Sequence, residues 1–198
     1  MNWETLLCLG DSITFGARSY LGYPEVCGNI LQKNLGNNWN VINHAANGNT
    51  AIDLIRSLDK NWNNLKENFP GILTILIGTN DIKIKTPEED FLIAYNLLVV
   101  KSRLLAINNN IILLKIPEFT NKVFYPYNFQ MNENVKSFNA LIESIAHEHN
   151  LRLLGLELKD DDYFDGVHLN NKGCMNAGNQ LAEFILKDKG IESSSALS

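Results

Sequence analysis

Short apolar runs alternate with helix-period segments along the whole chain. Five runs rich in Leu, Ile and Val stand out, at residues 5–9, 39–43, 72–77, 111–116 and 151–156. Each has the length of a strand and lacks the strict apolar–polar alternation of a half-wet sheet, so each is expected to be buried on both faces. Between the runs, apolar residues recur at helical spacing. One helix is predicted from Pro24 to Leu35, with proline in its first turn. A second is predicted from Ala51 to Phe69, with a break near Asp59. A third opens at Thr86-Pro87-Glu88-Glu89, where a cap, a proline and early acids coincide, and runs to about Asn108. Two more are expected, one from Asn132 to Asn150 and one from a cap at Asn170 or Asn171 to about Lys189.

Strand–helix alternation of this kind predicts an α/β fold in three layers, α/β/α, with a parallel sheet covered by helices on both sides. Five strands in the order 2-1-3-4-5, joined by right-handed crossovers, are expected. No internal repeat and no linker divides the chain, so residues 1–190 read as a single domain and the Ser-rich tail 191–198 as a frayed end. In such sheets ligands collect outside the carboxyl ends of the strands.

Composition narrows the function classes. The 198 residues carry a net charge of −5, with 45% apolar and 20% charged residues. That balance, with no run of Lys or Arg, disfavours a nucleic acid or an anionic membrane surface as partner. The apolar stretches fall well short of the ~20 residues that span a bilayer, so no integral membrane contact is expected. The first apolar run leads straight into a Gly-Asp-Ser turn and reads as a core strand, not a signal peptide; the expectation is a cytoplasmic protein, with a trimmed secretion signal as the alternative. Cys8, Cys27 and Cys174 are odd in number and widely spaced, which suits free thiols better than a disulfide framework or a zinc site. His147 and His149 stand two apart on a helix and cannot share a face as metal ligands. Oligomeric state is not written in the pattern.

The chemistry concentrates at the strand ends. Gly10-Asp11-Ser12-Ile13-Thr14-Phe15-Gly16 follows the first run, Asn47-Gly48-Asn49-Thr50 the second and Gly78-Thr79-Asn80-Asp81 the third, while Asp165-Gly166-Val167-His168-Leu169 follows the fifth. Ser12 is the candidate nucleophile. A serine hydroxyl needs a base at neutral pH, and His168 is the candidate base, with Asp165 three residues earlier to fix its tautomer. The Gly48 N–H, the Asn80 side-chain amide and the Ser12 N–H are candidate oxyanion donors. Each residue has a plainer reading when taken alone: a cap, a turn or a packed loop histidine. Their convergence on one predicted edge favours the chemistry.

Those four blocks resemble the SGNH (GDSL-type) hydrolase family of esterases and acylhydrolases, in order, from Gly10 to Leu169. The resemblance implies a flavodoxin-like three-layer fold, no metal and no cofactor. It also implies Ser12, Asp165 and His168 as triad, with Gly48 and Asn80 beside Ser12 in the oxyanion hole. Two features depart from common patterns. Thr14 stands where the Gly-x-Ser-x-Gly elbow of other hydrolases has its second glycine. Asn43-His44-Ala45-Ala46 introduces the second block in place of the commoner Asn-x-Gly style.

Substrate contacts are assigned to Asp11, Arg18, Tyr20, His44, Phe119, Phe124 and Tyr125, on their nearness to the blocks or their place in the aromatic segment 117–131; a structural hydrogen bond is the alternative for Asp11 and His44, and a loop pinned to the body or to a second subunit for the aromatics. The expected substrate is a small ester with a short acyl group, acetyl above all, on an alcohol such as a carbohydrate. Lysophospholipase or thioesterase action, acyl transfer on the same residues, and a non-catalytic binding module are the alternatives.

Overall fold

The computed structural model describes residues 3–190; the tail expected to fray lies outside the described residues. The strands are β1 (Trp3–Gly10), β2 (Asn38–Ala45), β3 (Ile72–Leu76), β4 (Ile111–Leu114) and β5 (Arg152–Leu154). All pair in parallel, in the order β2-β1-β3-β4-β5. The helices between and after them are α1 (Ser12–Phe15), α2 (Tyr23–Leu35), α3 (Ala51–Glu67), α4 (Thr79–Ile84), α5 (Glu88–Leu105), α6 (Asn132–Glu148) and α7 (Asn171–Asp188).

Alternate residues of the central strands feed two separate cores, which is what makes three layers. Leu7, Leu9, Leu73, Ile75, Ile111 and Leu113 face α3, α5 and α6. Leu6, Cys8, Ile72, Leu76, Ile112 and Leu114 face α2 and α7. Full burial of a Leu or Ile side chain is worth about 1.5–3 kcal/mol, so these strands anchor the sheet. The expectation of burial on both faces fails at the edges. Most of β2 and all of β5 are only half-buried, because an edge strand has one neighbour and thinner helical cover.

The predicted break near Asp59 does not occur. The apolar positions Ala51, Leu54, Ile55, Leu58 and Leu65 keep one face of α3 on the core throughout. Asp59 lies on the other face, where it accepts a bond from Lys101 at 2.6 Å. A polar residue on the outer face does not interrupt a helix whose inner face stays apolar. The two short helices α1 and α4, directly after β1 and β3, are too brief to leave a periodic trace in the sequence. Both lie at the carboxyl edge of the sheet.

Candidate active site

Ser12 stands where β1 gives way to α1. The Asp11 carboxylate caps that helix by accepting the Ile13 N–H at 2.9 Å. A side chain at position 10 is impossible, since its Cβ would lie 2.2 Å from Thr14 Oγ1 and 2.7 Å from the Leu76 carbonyl. Glycine therefore lets the helix fold back over the strand end. The result holds the Ser12 Oγ 2.9 Å from His168 Nε2, across 156 residues of chain.

His168 lies in a loop closed by local bonds. Tyr163 and Leu169 form an antiparallel bridge, and the Phe164 N–H donates to the His168 carbonyl at 2.8 Å. Inside it, Asp165 Oδ1 accepts the N–H groups of Val167 at 3.1 Å and His168 at 2.8 Å, while Oδ2 lies 2.8 Å from His168 Nδ1. With its Nδ1–H given to the carboxylate, the neutral ring presents a lone pair at Nε2, and the Ser12 hydroxyl donates to it. Burial opposes ionisation of Asp165, but the bonds from the His168 N–H and ring and from the Val167 N–H outweigh it and hold the carboxyl below its usual pKa.

Gly166 carries a left-handed φ of +85°, and a Cβ there would stand 2.5 Å from the Val123 nitrogen. Its carbonyl accepts the Thr120 N–H at 3.0 Å. The segment after β4 is thus laid directly on the Asp165–His168 loop.

Asn80 is buried near the start of α4. Its Nδ2 donates to the Asn49 carbonyl at 3.0 Å, and its Oδ1 accepts from Lys83 Nζ at 2.7 Å and Tyr127 OH at 3.2 Å. An ammonium can only donate, so this clamp sets the amide orientation and leaves a second Nδ2–H for a ligand. Asp81 Oδ2 accepts the Ala51 N–H at 3.0 Å, tying α4 to the start of α3 just beyond the Gly48 turn. Burial raises the Asp81 pKa to about 6.

Ser12, Gly48, Asn80 and His168 line one hollow of about 330 Å³, with Asp165 hydrogen-bonded behind the imidazole. Larger hollows exist, such as one of about 770 Å³ between β5 and α7, but Ser12 and His168 line none of those. Among the described residues no group of three or more His, Cys, Asp or Glu side chains could hold a metal ion.

The expected substrate contacts divide. Arg18 does line the hollow. Phe124 and Tyr125 are exposed beside it, next to Pro126 and Tyr127, which form its wall. The other four lie elsewhere. Asp11 is fully buried, spent on capping α1. Phe119 is turned into the core, edge-on to the Tyr127 ring at 5.2 Å. His44 sits on edge strand β2, paired with Ser57 Oγ at 3.0 Å, and burial lowers its pKa. Tyr20 is 94% exposed and its backbone N–H donates to Asn171 Oδ1 at 2.9 Å. The expected contacts did not include Lys83 or Tyr127, which line the hollow. The available signals were the three-residue spacing of Lys83 from Asn80 on a helix and the polar tip of tyrosine.

A parallel sheet that gathers a serine, an imidazole and a carboxylate at its carboxyl edge has the layout of a carboxylic ester hydrolase. The chain belongs to the GDSL-like lipase/acylhydrolase family, whose pattern matches residues 8–174. No curated protein sequence matches the chain. Solved structures share its fold. Axe2, an acetylxylan esterase from Geobacillus stearothermophilus, is 21% identical with a TM-score of 0.68, over 98% of this chain and 97% of that one. The acetyl xylan esterase AlAXEase is 20% identical with a TM-score of 0.73, over 91% and 99%. LAE5, an alpha/beta hydrolase from the metagenome of Lake Arreo, Spain, is 20% identical with a TM-score of 0.71, over 94% and 95%.

Proposed function

We propose that the protein cleaves short-chain carboxylic esters, acetyl esters above all, by forming an acyl-enzyme on Ser12. The observation that carries this reading is the unbroken line from Asp165 through His168 to Ser12, with heavy atoms 2.8 and 2.9 Å apart. His168 Nε2 takes the Ser12 proton as Oγ attacks the ester carbonyl. The Ser12 and Gly48 N–H groups and the free Nδ2–H of Asn80 hold the oxyanion. The imidazolium, steadied by Asp165, returns the proton to the departing alcohol. Water then adds to the acyl-enzyme, with the same ring as base, and the acid leaves.

The small hollow favours a short acyl group, and the acetylxylan esterases of the same fold add weight to an acetylated carbohydrate as the alcohol part. A series of p-nitrophenyl esters of rising chain length tests both points. Turnover should be highest for acetate and fall as the chain lengthens. Ser12→Ala should lower kcat by about 10⁴-fold or more while leaving the circular-dichroism spectrum unchanged. Undiminished turnover by the variant rejects the nucleophile assignment.

A further inference from the structure

Two cations line the hollow of the nucleophile, and among the described residues neither forms an ion pair there. Arg18 and Lys83 both line the hollow that holds Ser12 and His168, and among the described residues lining it there is no Asp or Glu. This local charge runs against the net −5 of the whole chain.

Arg18 is also unlike the other arginines. Of the four arginines, Arg56 donates to Asp53, Arg103 to the His149 carbonyl, and Arg152 to Asp188 and Asn110. Arg18 has no hydrogen-bond acceptor among the described residues. Its guanidinium is held over the Phe164 ring, 5.6 Å from the centroid, two residues before the tip of the Asp165–His168 loop. Arg18 is exposed, and this cation–π contact leaves its N–H groups unsatisfied. Lys83 is half-buried, and its partners are neutral: the Asn80 carbonyl oxygen and the face of Tyr127. Its charge is therefore not cancelled by a contact ion pair, and it adds to the field in the hollow.

We infer that the preferred substrate is a short-chain ester whose alcohol part carries a carboxylate, gripped by the Arg18 guanidinium at the rim of the Ser12 hollow. The inference rests on the proposed esterase reading and adds the charge of the substrate to it. Arginine recognises a carboxylate bidentately through its planar fork of N–H donors. An acetylated hydroxy acid and an acetylated acidic sugar share that chemistry.

The test compares 4-acetoxybenzoate with its neutral methyl ester at low ionic strength, each rate divided by that ester's rate with hydroxide. The wild-type protein should favour the acid by about tenfold or more in kcat/KM, the scale of one charge-assisted contact, and added salt should erode the preference. Arg18→Met should lower the acid-to-neutral ratio at least about fivefold, chiefly through KM, and Arg18→Lys should restore part of it. A wild-type ratio at or below one, or a ratio unmoved by Arg18→Met, overturns the inference. In that case neutral-ester turnover that Ser12→Ala abolishes leaves the esterase reading standing. Turnover of neither ester rejects the esterase reading, and calorimetry with 4-acetamidobenzoate and its methyl ester then decides the charge question separately. Binding of the acid alone, lost in Arg18→Met, supports the carboxylate grip; equal binding of the two, or none of either, refutes it.

Discussion

Two aspartates at the carboxyl edge make the same local turn and end with opposite charge behaviour. Asp11 Oδ1 accepts the N–H two residues on, and Asp165 Oδ1 accepts the N–H groups two and three residues on. Both turns follow from the short polar side chain of aspartate, which folds back on its own backbone. Their surroundings differ. Asp11 is fully buried, and desolvation pushes its pKa up to about 7 against the pull of the Ile13 N–H. Asp165 is also partly desolvated, but its bonds to His168 and Val167 prevail and its pKa falls. Local sequence sets the turn; burial and the imidazole set the charge. One aspartate is thereby suited to stabilise an imidazolium and the other to hold the helix that presents Ser12.

The contrast breaks first at Asp165. Asp165→Asn keeps an oxygen for the two backbone N–H groups, so the turn should persist. Its amide nitrogen would face His168 Nδ1, favouring the tautomer with the proton on Nε2, which cannot accept from Ser12. On the proposed mechanism kcat should fall by about 10⁴-fold with little change in melting temperature. A fall of less than tenfold would place the line of hydrogen bonds outside the chemistry. The stability effect carries its own sign: the lowered native pKa of Asp165 adds stability above the unfolded carboxyl's pKa, lost as pH falls through the native value. The variant should lose that acid-side dependence.

The geometry of the turn can be attacked without touching a charge. Gly166→Ala introduces a Cβ 2.5 Å from the Val123 nitrogen and 2.8 Å from its Cα, at a φ of +85°. Left-handed strain and overpacking together should cost about 2–4 kcal/mol, read as a lower midpoint in urea. Because the clash forces the segment after β4 away from the Asp165–His168 loop, activity should fall as well. A variant as stable as the parent would show that the two loops are not in fact packed so tightly.

How much of this was legible in the sequence follows the same division. The strand positions, the Asp11 turn before Ser12 and the Asp165–His168 pair could be read because each depends on short-range rules: alternation, a cap two residues on, a pair three apart. The unbroken α3 was missed because a single Asp59 on the outer face looks like a stop when the inner face is not yet known. The wall of the hollow was largely illegible. Tyr127 reaches Asn80 across 47 residues, and nothing in a run of aromatics tells which ring turns inward and which, like Tyr125, stays 88% exposed. His44 and Asp11 were offered as substrate contacts on nearness in the chain, with a structural hydrogen bond as the other reading; the fold places His44 against Ser57 and Asp11 on the Ile13 N–H. Side chains placed by their own turn can be read from a sequence; side chains placed by a distant element need the fold.

The effect at Asp11 shows only as a difference between pH values, and it tests the other half of the contrast. A carboxyl whose native pKa is raised to about 7 keeps its proton in the folded state over a range where the unfolded chain, near the ordinary value of ~3.9, has released it. The folded form then binds more protons than the unfolded one, so this group's contribution to stability declines as pH rises from about 4 to about 7, by at most ~1.4 kcal/mol per pH unit. Asp11→Asn cannot ionise, yet its Oδ1 can still accept the Ile13 N–H. Urea titrations at pH 4 to 8 should therefore show the variant gaining on the parent with each step up to about pH 7 and holding its lead beyond. Parallel curves would mean that Asp11 ionises as readily folded as unfolded, and that burial does not separate the two aspartates after all.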